Sequence, residues 1–439
     1  MKMPKLSRRN LFKSGAVLAA GVASTGSGVR YAEAAVRAGT KYNWGHTIAF
    51  GEQYYKRISE ILENIGRTEM NLFGDISNRM AETLRKGGKV WYDGYTGHMG
   101  RIECLEENKG NPKIFRSNYK EIKYEEMKAG DVLVTNSVNE QVKKARDEGV
   151  YVVGVPVCYI DNEWAPRGFV NPNVNNWLLG DVSSVILQSY VPYTQGIIDC
   201  PEIPEMKICP SAANSVCSIF WMFQCEAANK LKAKNPKPVD KSAEYLNTVI
   251  SRLHEAYRLQ KDYLFDHAAT AAKMIGNGAN FHVTSDHTGV ELEAYTVAKG
   301  LRMTNMARDK MKKGDVHLLA SIEPDSQKII DEAKKAHEMG MFVVSIAPGS
   351  SLQIRRYSDV FIDNLCPEGG GLLQIPGFPE KIGTAGGIMN NMLMWIFTGQ
   401  FVDEMVRRGW IPWFWIGGYT VGGSAYNKAV EPFFNKRGY

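Results

Sequence analysis

Two short loops carry the residue types needed to move a proton on a sugar. Thr96, Gly97 and His98 lie in the first, with Glu103 five residues beyond the histidine; Ser285, His287 and Thr288 lie in the second, with Glu291 and Glu293 four and six residues beyond it. A carboxylate or imidazole beside a ring-opened sugar can carry a proton between neighbouring carbons through an enediol, which makes His98, Glu103, His287, Glu291 and Glu293 the candidate catalytic residues. Four residues is one helical turn, so His287 and Glu291 would face one cavity if a helix begins at the loop. A histidine and an acid at a helix start also serve as caps and dipole partners. Gly94, Gly97 and Gly100 lack the spacing of a dinucleotide fingerprint, and no cofactor is expected. His282 with His287, or His98 with Glu103 and Cys104, shows no specific ligand spacing, and no metal is expected.

The elements around these loops occur twice. KVWYDGYTGHMGRIE (89–103) answers NFHVTSDHTGVELE (280–293), GDVLVTNS (130–137) answers GDVHLLAS (314–321), and EMKICPSAANSVCSIFWMFQCEAANKL (205–231) answers EKIGTAGGIMNNMLMWIFTGQFVDEMV (380–406). The offsets, 189 for His98 to His287, 184 for Asp131 to Asp315 and 174 for Ile208 to Ile382, differ by loop-sized amounts. A duplicated domain is the simplest account. Each copy opens with a helical pattern of apolar residues three and four apart (54–88 and 243–278) that ends at glycine. Short β-branched and aromatic runs alternating with helical stretches follow, which predicts parallel βαβ units and an open doubly wound sheet in each copy. We therefore expect an α/β protein with domains at 48–232 and 240–430, divided at the charged, Pro-containing KAKNPKPVD (232–240). Ligands of such sheets bind at the carboxyl ends of the strands, where both histidine loops fall.

On these residues the mature chain resembles two tandem sugar isomerase (SIS) domains. The second half is similar to the SIS group with a GTGHS loop, a GDV strand and a DNxxPxGD segment, reading here Ser285-Asp286-His287-Thr288, Gly314-Asp315-Val316 and Asp363-Asn364-Leu365-Cys366-Pro367-Glu368-Gly369-Gly370; the first half keeps Thr96-Gly97-His98. The resemblance implies a flavodoxin-like fold, a sugar or phosphosugar ligand, aldose–ketose exchange, and a homo-oligomer. It also implies a phosphate cradle of Ser-x-Ser-Gly type after the second strand. Thr135, Asn136 and Ser137 stand at that place in one copy, and Ser321, Asp325 and Ser326 in the other; with Thr96, Gly97, Ser285, Thr288 and Asn364 these are the candidate substrate-binding residues. Glu323, Asp325 and Pro324 in the second loop repel a phosphate and remove an amide donor, so that cradle is expected to be lost, while Thr135 and Ser137 could still hold an anion.

An N-terminal address points the same way. SRRNLFK (7–13), the weakly apolar GAVLAAGVAS (15–24) and the small-residue AEAA (32–35) resemble a twin-arginine signal peptide, residues 1–35, directing periplasmic or other export through the twin-arginine machinery. The apolar run is too short to span a bilayer. An exported protein meets unphosphorylated sugars and envelope fragments more than phosphosugars. The formal charge of +6 comes partly from the signal and the rest is interspersed with acids, which argues against nucleic acid as a partner. Seven cysteines without CxxC define no disulfide framework; a Cys200–Cys209 bridge is an option, and burial as small hydrophobes is the better account. WIPWFWIGGY (410–419) is either a sugar-stacking face or a packed C-terminal anchor. The resulting expectation is an exported isomerase-type enzyme acting on a sugar or sugar derivative, phosphorylated or not, with one active copy. Its rivals are a catalytically inactive SIS-fold protein that binds or senses carbohydrate, and a structural assembly protein.

Overall fold

The computed structural model describes residues 48–93, 103, 105–116, 122–157, 177–192, 195–234, 236–286, 288–296, 299–305, 310–324, 326–367, 370–417 and 422–439. The expected signal, 1–35, lies outside these residues, as do Thr96, Gly97, His98, His287 and Asp325.

The first half runs α1 (Phe50–Thr68), α2 (Met70–Arg85), β1 (Val90–Asp93), β2 (Val132–Thr135), α3 (Glu140–Asp147), β3 (Tyr151–Gly154), α4 (Leu179–Val182), β4 (Val185–Ile186), β5 (Gly196–Ile198), β6 (Ile208–Pro210) and α5 (Ala212–Lys232). The second runs α6 (Lys241–Gly276), β7 (Phe281–Ser285), α7 (Thr288–Thr296), β8 (Val316–Ala320), α8 (Gln327–Glu338), β9 (Phe342–Ala347), α9 (Leu352–Arg356), β10 (Val360–Asp363), β11 (Gly371–Leu373), β12 (Ile382–Thr384), α10 (Gly386–Arg407) and α11 (Gly423–Arg437). Two parallel four-stranded sheets result, ordered β1-β2-β3-β4 and β7-β8-β9-β10, each followed by a two-stranded antiparallel ribbon, β5–β6 or β11–β12. The α/β class, with two parallel sheets of flavodoxin type, is thus as expected.

The duplication shows in side-chain chemistry as well as order. Asp131 accepts from the amides of Lys89 (2.8 Å) and Lys128 (3.2 Å) and from Trp91 Nε1 (2.9 Å). Asp315 accepts from the amides of Asn280 (2.8 Å) and Lys312 (3.1 Å) and pairs with His282 Nε2 (3.0 Å). The repeated Gly-Asp therefore ties the start of its own strand to the strand before it, and His282 does in one copy what an indole does in the other. Among the described residues no group of three His, Cys, Asp or Glu is placed to hold a metal.

The halves differ at their leading helices. The second is one 36-residue helix, whereas the first is interrupted at Glu69. The Glu69 carboxylate is buried and accepts from Thr68 Oγ1 (2.9 Å) and from the amide of Gln188 (3.1 Å). That long-range bond is invisible to helical periodicity. In the first half the Arg116 segment also bridges the free side of β1, with Arg116 N donating to Val90 O (2.7 Å). The chain therefore places Arg116 on one side of β1 and β2 on the other. In the second half Arg302–Asn305 forms a 3-10 turn and Leu301 bridges Phe414 instead.

Helices α1, α2, α5, α6 and α10 pack on one another and reach both sheets. α5 and α10 are buried around nearly their whole circumference, as helices apolar on all sides must be. The core is continuous between the halves, joining Val132 and Val134 of one sheet to Val316 and Leu318 of the other. Cys200, Cys209, Cys217, Cys225 and Cys366 are buried as thiols. Trp413 and Phe414 are buried, and Trp415 lies under the Arg302 guanidinium (4.1 Å), so the described part of the aromatic C-terminal stretch packs inward as an anchor. Among the described residues no helix is long and apolar enough to cross a membrane.

Candidate functional site

At the carboxyl ends of β1 and β2 the first half gathers a cluster of hydroxyls and amides around one acid. Parallel register puts Asp93 opposite Thr135. The Asp93 carboxylate accepts from Thr135 Oγ1 (2.9 Å) and from the hydroxyl of Tyr124 (2.8 Å), which a short 3-10 turn, Tyr124–Glu126, carries over the strand ends. The Ser137 amide donates to Thr135 Oγ1 (2.9 Å), drawing the loop tight, and Asn139 caps α3 by accepting from the Val142 amide (2.9 Å). Burial, then the neighbouring Asp93, pushes the Tyr124 phenol up, while the Asn139 and Ser137 side chains pull it back. Thr135, Asn136 and Ser137 are all buried.

The corresponding loop of the second half is closed by its own chain. Asp286 follows β7, and its carboxylate accepts from Ser321 Oγ (2.6 Å), from the Ile322 amide (3.1 and 3.2 Å) and from the Glu323 amide (3.5 Å). These are the donors that a phosphate would need at that place. Glu323 itself is ion-paired to Lys109 of the first half (2.9 Å). Lys328 Nζ donates to Ser285 O (2.7 Å), so this cation also serves the chain.

A third locus lies where the halves meet. Glu103, 1% exposed, accepts from Trp221 Nε1 of α5 (2.8 Å). Its charge is felt by the hydroxyl of Tyr245, which opens the second half and donates to Thr384 O (2.6 Å). The mirrored arrangement is present: Glu293, also 1% exposed, acts on the hydroxyl of Tyr54, which donates to Pro210 O (2.8 Å). Each half thus buries an acid whose charge is felt at a tyrosine of the other. Both phenols are pushed well up, burial being the largest cause. The mirror is imperfect, because Asn214 Nδ2 also donates to the Tyr54 hydroxyl (2.9 Å).

The structure therefore distributes the candidate residues unevenly. Thr135, Asn136 and Ser137 sit together beside Asp93, and Glu103 and Glu293 occupy mirrored interior positions. Glu291 turns back to its own strand, its Oε2 accepting from the Ser285 amide (3.3 Å). Ser321 is taken by Asp286, Ser326 precedes α8, and Thr288 begins α7. Asn364 is fully buried and donates to Asn390 Oδ1 (2.7 Å), while its own Oδ1 accepts from the Cys366 amide (2.9 Å). Sequence reasoning missed Asp93, Tyr124, Asp286 and Trp221. Asp93 and Asp286 were detectable as acids at strand ends, where a half-buried carboxylate needs donors; Tyr124 and Trp221 lie 31 and 118 residues from their partners and left no local signal.

No family model matches the chain. UPF0309 proteins of Listeria monocytogenes and Listeria innocua are 24% identical to it over 145 residues, 30% of this chain. The match spans 59% of those relatives' own length. Among solved structures, the C-terminal domain of glucosamine-fructose-6-phosphate aminotransferase from Francisella tularensis aligns at 11% identity with a TM-score of 0.44, covering 85% of this chain and 99% of that one. Glucosamine-6-phosphate deaminase from Thermotoga maritima aligns at 11% identity with a TM-score of 0.37, over 82% of this chain and 96% of that one.

Proposed function

We propose that this protein is an exported isomerase-type enzyme that interconverts the aldose and ketose forms of an unphosphorylated sugar or sugar derivative, with Glu103 as the proton carrier. The supporting observation is the Glu103 carboxylate itself: buried, oriented by the Trp221 indole, and set where the two halves meet. A carboxylate so held can take the proton from the carbon beside the open-chain carbonyl and return it to the neighbouring carbon, while a hydroxyl proton crosses from one oxygen to the other. The reaction then balances with no net proton change. The hydroxyls and amides beside Asp93 are suited to sugar hydroxyls, which both donate and accept. Asp286 supports the unphosphorylated reading, because an internal carboxylate already holds the loop amides and repels a second anion. Export, through the segment 1–35, and a homo-oligomeric state belong to the same reading.

Deuterium wash-in tests it. The mature protein in heavy water, given free and phosphorylated aldoses and ketoses, is expected to exchange the hydrogen beside the carbonyl of a free sugar. Exchange of phosphosugars alone overturns the substrate assignment. Binding without any exchange favours the inactive carbohydrate-binding protein.

A further inference from the structure

The two mirrored interior positions differ in what the repeat supplies to them. The spacing of 174 sets Asn214 against Ile388, Cys217 against Asn391 and Trp221 against Trp395. The Tyr54 side thus receives Asn214 and Asn391 where the Tyr245 side receives Ile388 and Cys217. The corner behind each tyrosine follows the same rule. Gly110 and Lys299 both lie in the left-handed region (φ 71° and 72°), and their carbonyls accept from Gly383 N and Cys209 N (3.0 Å each). A lysine, 2% exposed, therefore stands on the Tyr54 side where glycine stands on the other, in a backbone conformation that costs lysine more than glycine.

The polarity of the Tyr54 side is fixed from one end. Pro210 O can only accept, so the Tyr54 hydroxyl donates to it (2.8 Å) and accepts from Asn214 Nδ2 (2.9 Å). Asn214 then turns its Oδ1 to Asn391 Nδ2 (2.9 Å), and Asn391 is left presenting an acceptor, its own Oδ1. Asn391 is fully buried, and among the described residues no donor reaches that oxygen. One turn further along the same face of α10, Trp395 is buried with an Nε1 that no acceptor among the described residues reaches. In the first half the corresponding indole, Trp221, is taken by Glu103. Asn391 and Trp395 thus hold one acceptor and one donor away from water, each at a cost in free energy until a partner arrives. Helix α7, which carries Glu293, packs on α10 and supplies neither partner.

We propose that this face of α10 is a second carbohydrate site, where the hydroxyls of a neutral sugar or sugar alcohol donate to Asn391 Oδ1 and accept from Trp395 Nε1. A hydroxyl fills both roles. A phosphate dianion offers acceptors only and leaves Asn391 unmet. An indole with a few placed polar groups is a common lining for such a ligand. The site stands whether or not Glu103 carries a proton.

The test follows the indole N–H resonances of the full mature chain, labelled with 15N-tryptophan, during titration with D-glucose, D-fructose and D-glucitol, the last of which has no carbonyl to isomerise. Trp395→Phe and Trp221→Phe assign the two signals. At least one of the three compounds is expected to shift the Trp395 signal. The double variant Asn214→Ile, Asn391→Cys installs the pair that the chain already packs at the mirrored position, so it is expected to melt at the wild-type temperature or above without ligand. It is also expected to weaken that binding about tenfold or more. Should the double variant fail to fold, Trp395→Phe read by ligand-observed NMR makes the same comparison with both amides kept. A Trp395 signal that no compound moves means internal water alone and overturns the inference. Equal affinity in the variants, or tighter binding of the 6-phosphates at Trp395, overturns it as well. A shift confined to Trp221 also sinks it, but leaves the isomerase reading at Glu103 standing.

Discussion

At the end of β1 the Asp93 carboxylate takes two hydroxyls, from Thr135 and Tyr124, whereas past the end of β7 the Asp286 carboxylate takes one hydroxyl and the backbone amides of Ile322 and Glu323. Both copies placed an acid at a strand end, but only the second uses it to fill the amides where a phosphate would sit. A bonded internal carboxylate keeps its place without the translational entropy that a free anion gives up on binding. The second loop is therefore a stabilised corner of the fold, and the first is a largely buried group of hydroxyls around Asp93. The same contrast runs through the Lys109–Glu323 pair, in which the first half contributes a cation to the closed loop of the second.

The largest effect that would sharpen this comparison is on turnover. Glu103→Gln is expected to lower deuterium exchange by about 100-fold or more, the scale of removing a general base, while Glu293→Gln costs less than about tenfold if one copy is active. Gln keeps an acceptor for the Trp221 indole, so melting should be nearly unchanged. Equal losses at the two positions would make both copies active, and no loss at Glu103 would break the assignment. Next comes the plug. Asp286→Ala leaves two amides and a hydroxyl short of their acceptor and should cost about 1–3 kcal/mol in denaturant unfolding. Millimolar inorganic phosphate should then recover part of that loss in the variant and none in the wild type; a wild-type protein equally stabilised by phosphate would refute the plug.

A smaller effect is expected at the first loop. Tyr124→Phe removes one of the two hydroxyls on Asp93 and should cost about 0.5–1.5 kcal/mol, and phosphate should give no recovery, since no amide is uncovered. Smallest is Lys109→Ala. The lysine is 61% exposed, so breaking its pair with Glu323 should change stability by no more than about 0.5 kcal/mol, and less in high salt. A loss of several kcal/mol there would mean that the closed loop depends on the first half far more than this geometry allows.

Much of the fold was legible because period-two and period-three-to-four patterns are local. The strands expected within DVLVTN, VYVVGVPV, FHVTS and MFVVSIA stand at Val132–Thr135, Tyr151–Gly154, Phe281–Ser285 and Phe342–Ala347. The break at Glu69 was not legible in a local pattern, and the partner that holds its carboxylate, the Gln188 amide, lies 119 residues away. Ser321 and Asn364 had the chemistry of substrate ligands in sequence; in the structure the donors of one serve Asp286 and the donors of the other serve Asn390. Residue type shows what a side chain can bond, and the fold decides what reaches it first.

The sequence by itself determined the duplication and the parallel α/β class, since both are written in repeats and periodicity. Only the tertiary structure decided that the charge of an acid in each half is felt at a tyrosine of the other, and that one cradle is filled by its own aspartate. Those outcomes depend on which groups packing brings together, across 35 residues for Asp286 and Ser321 and across more than a hundred for each acid and the tyrosine that feels it.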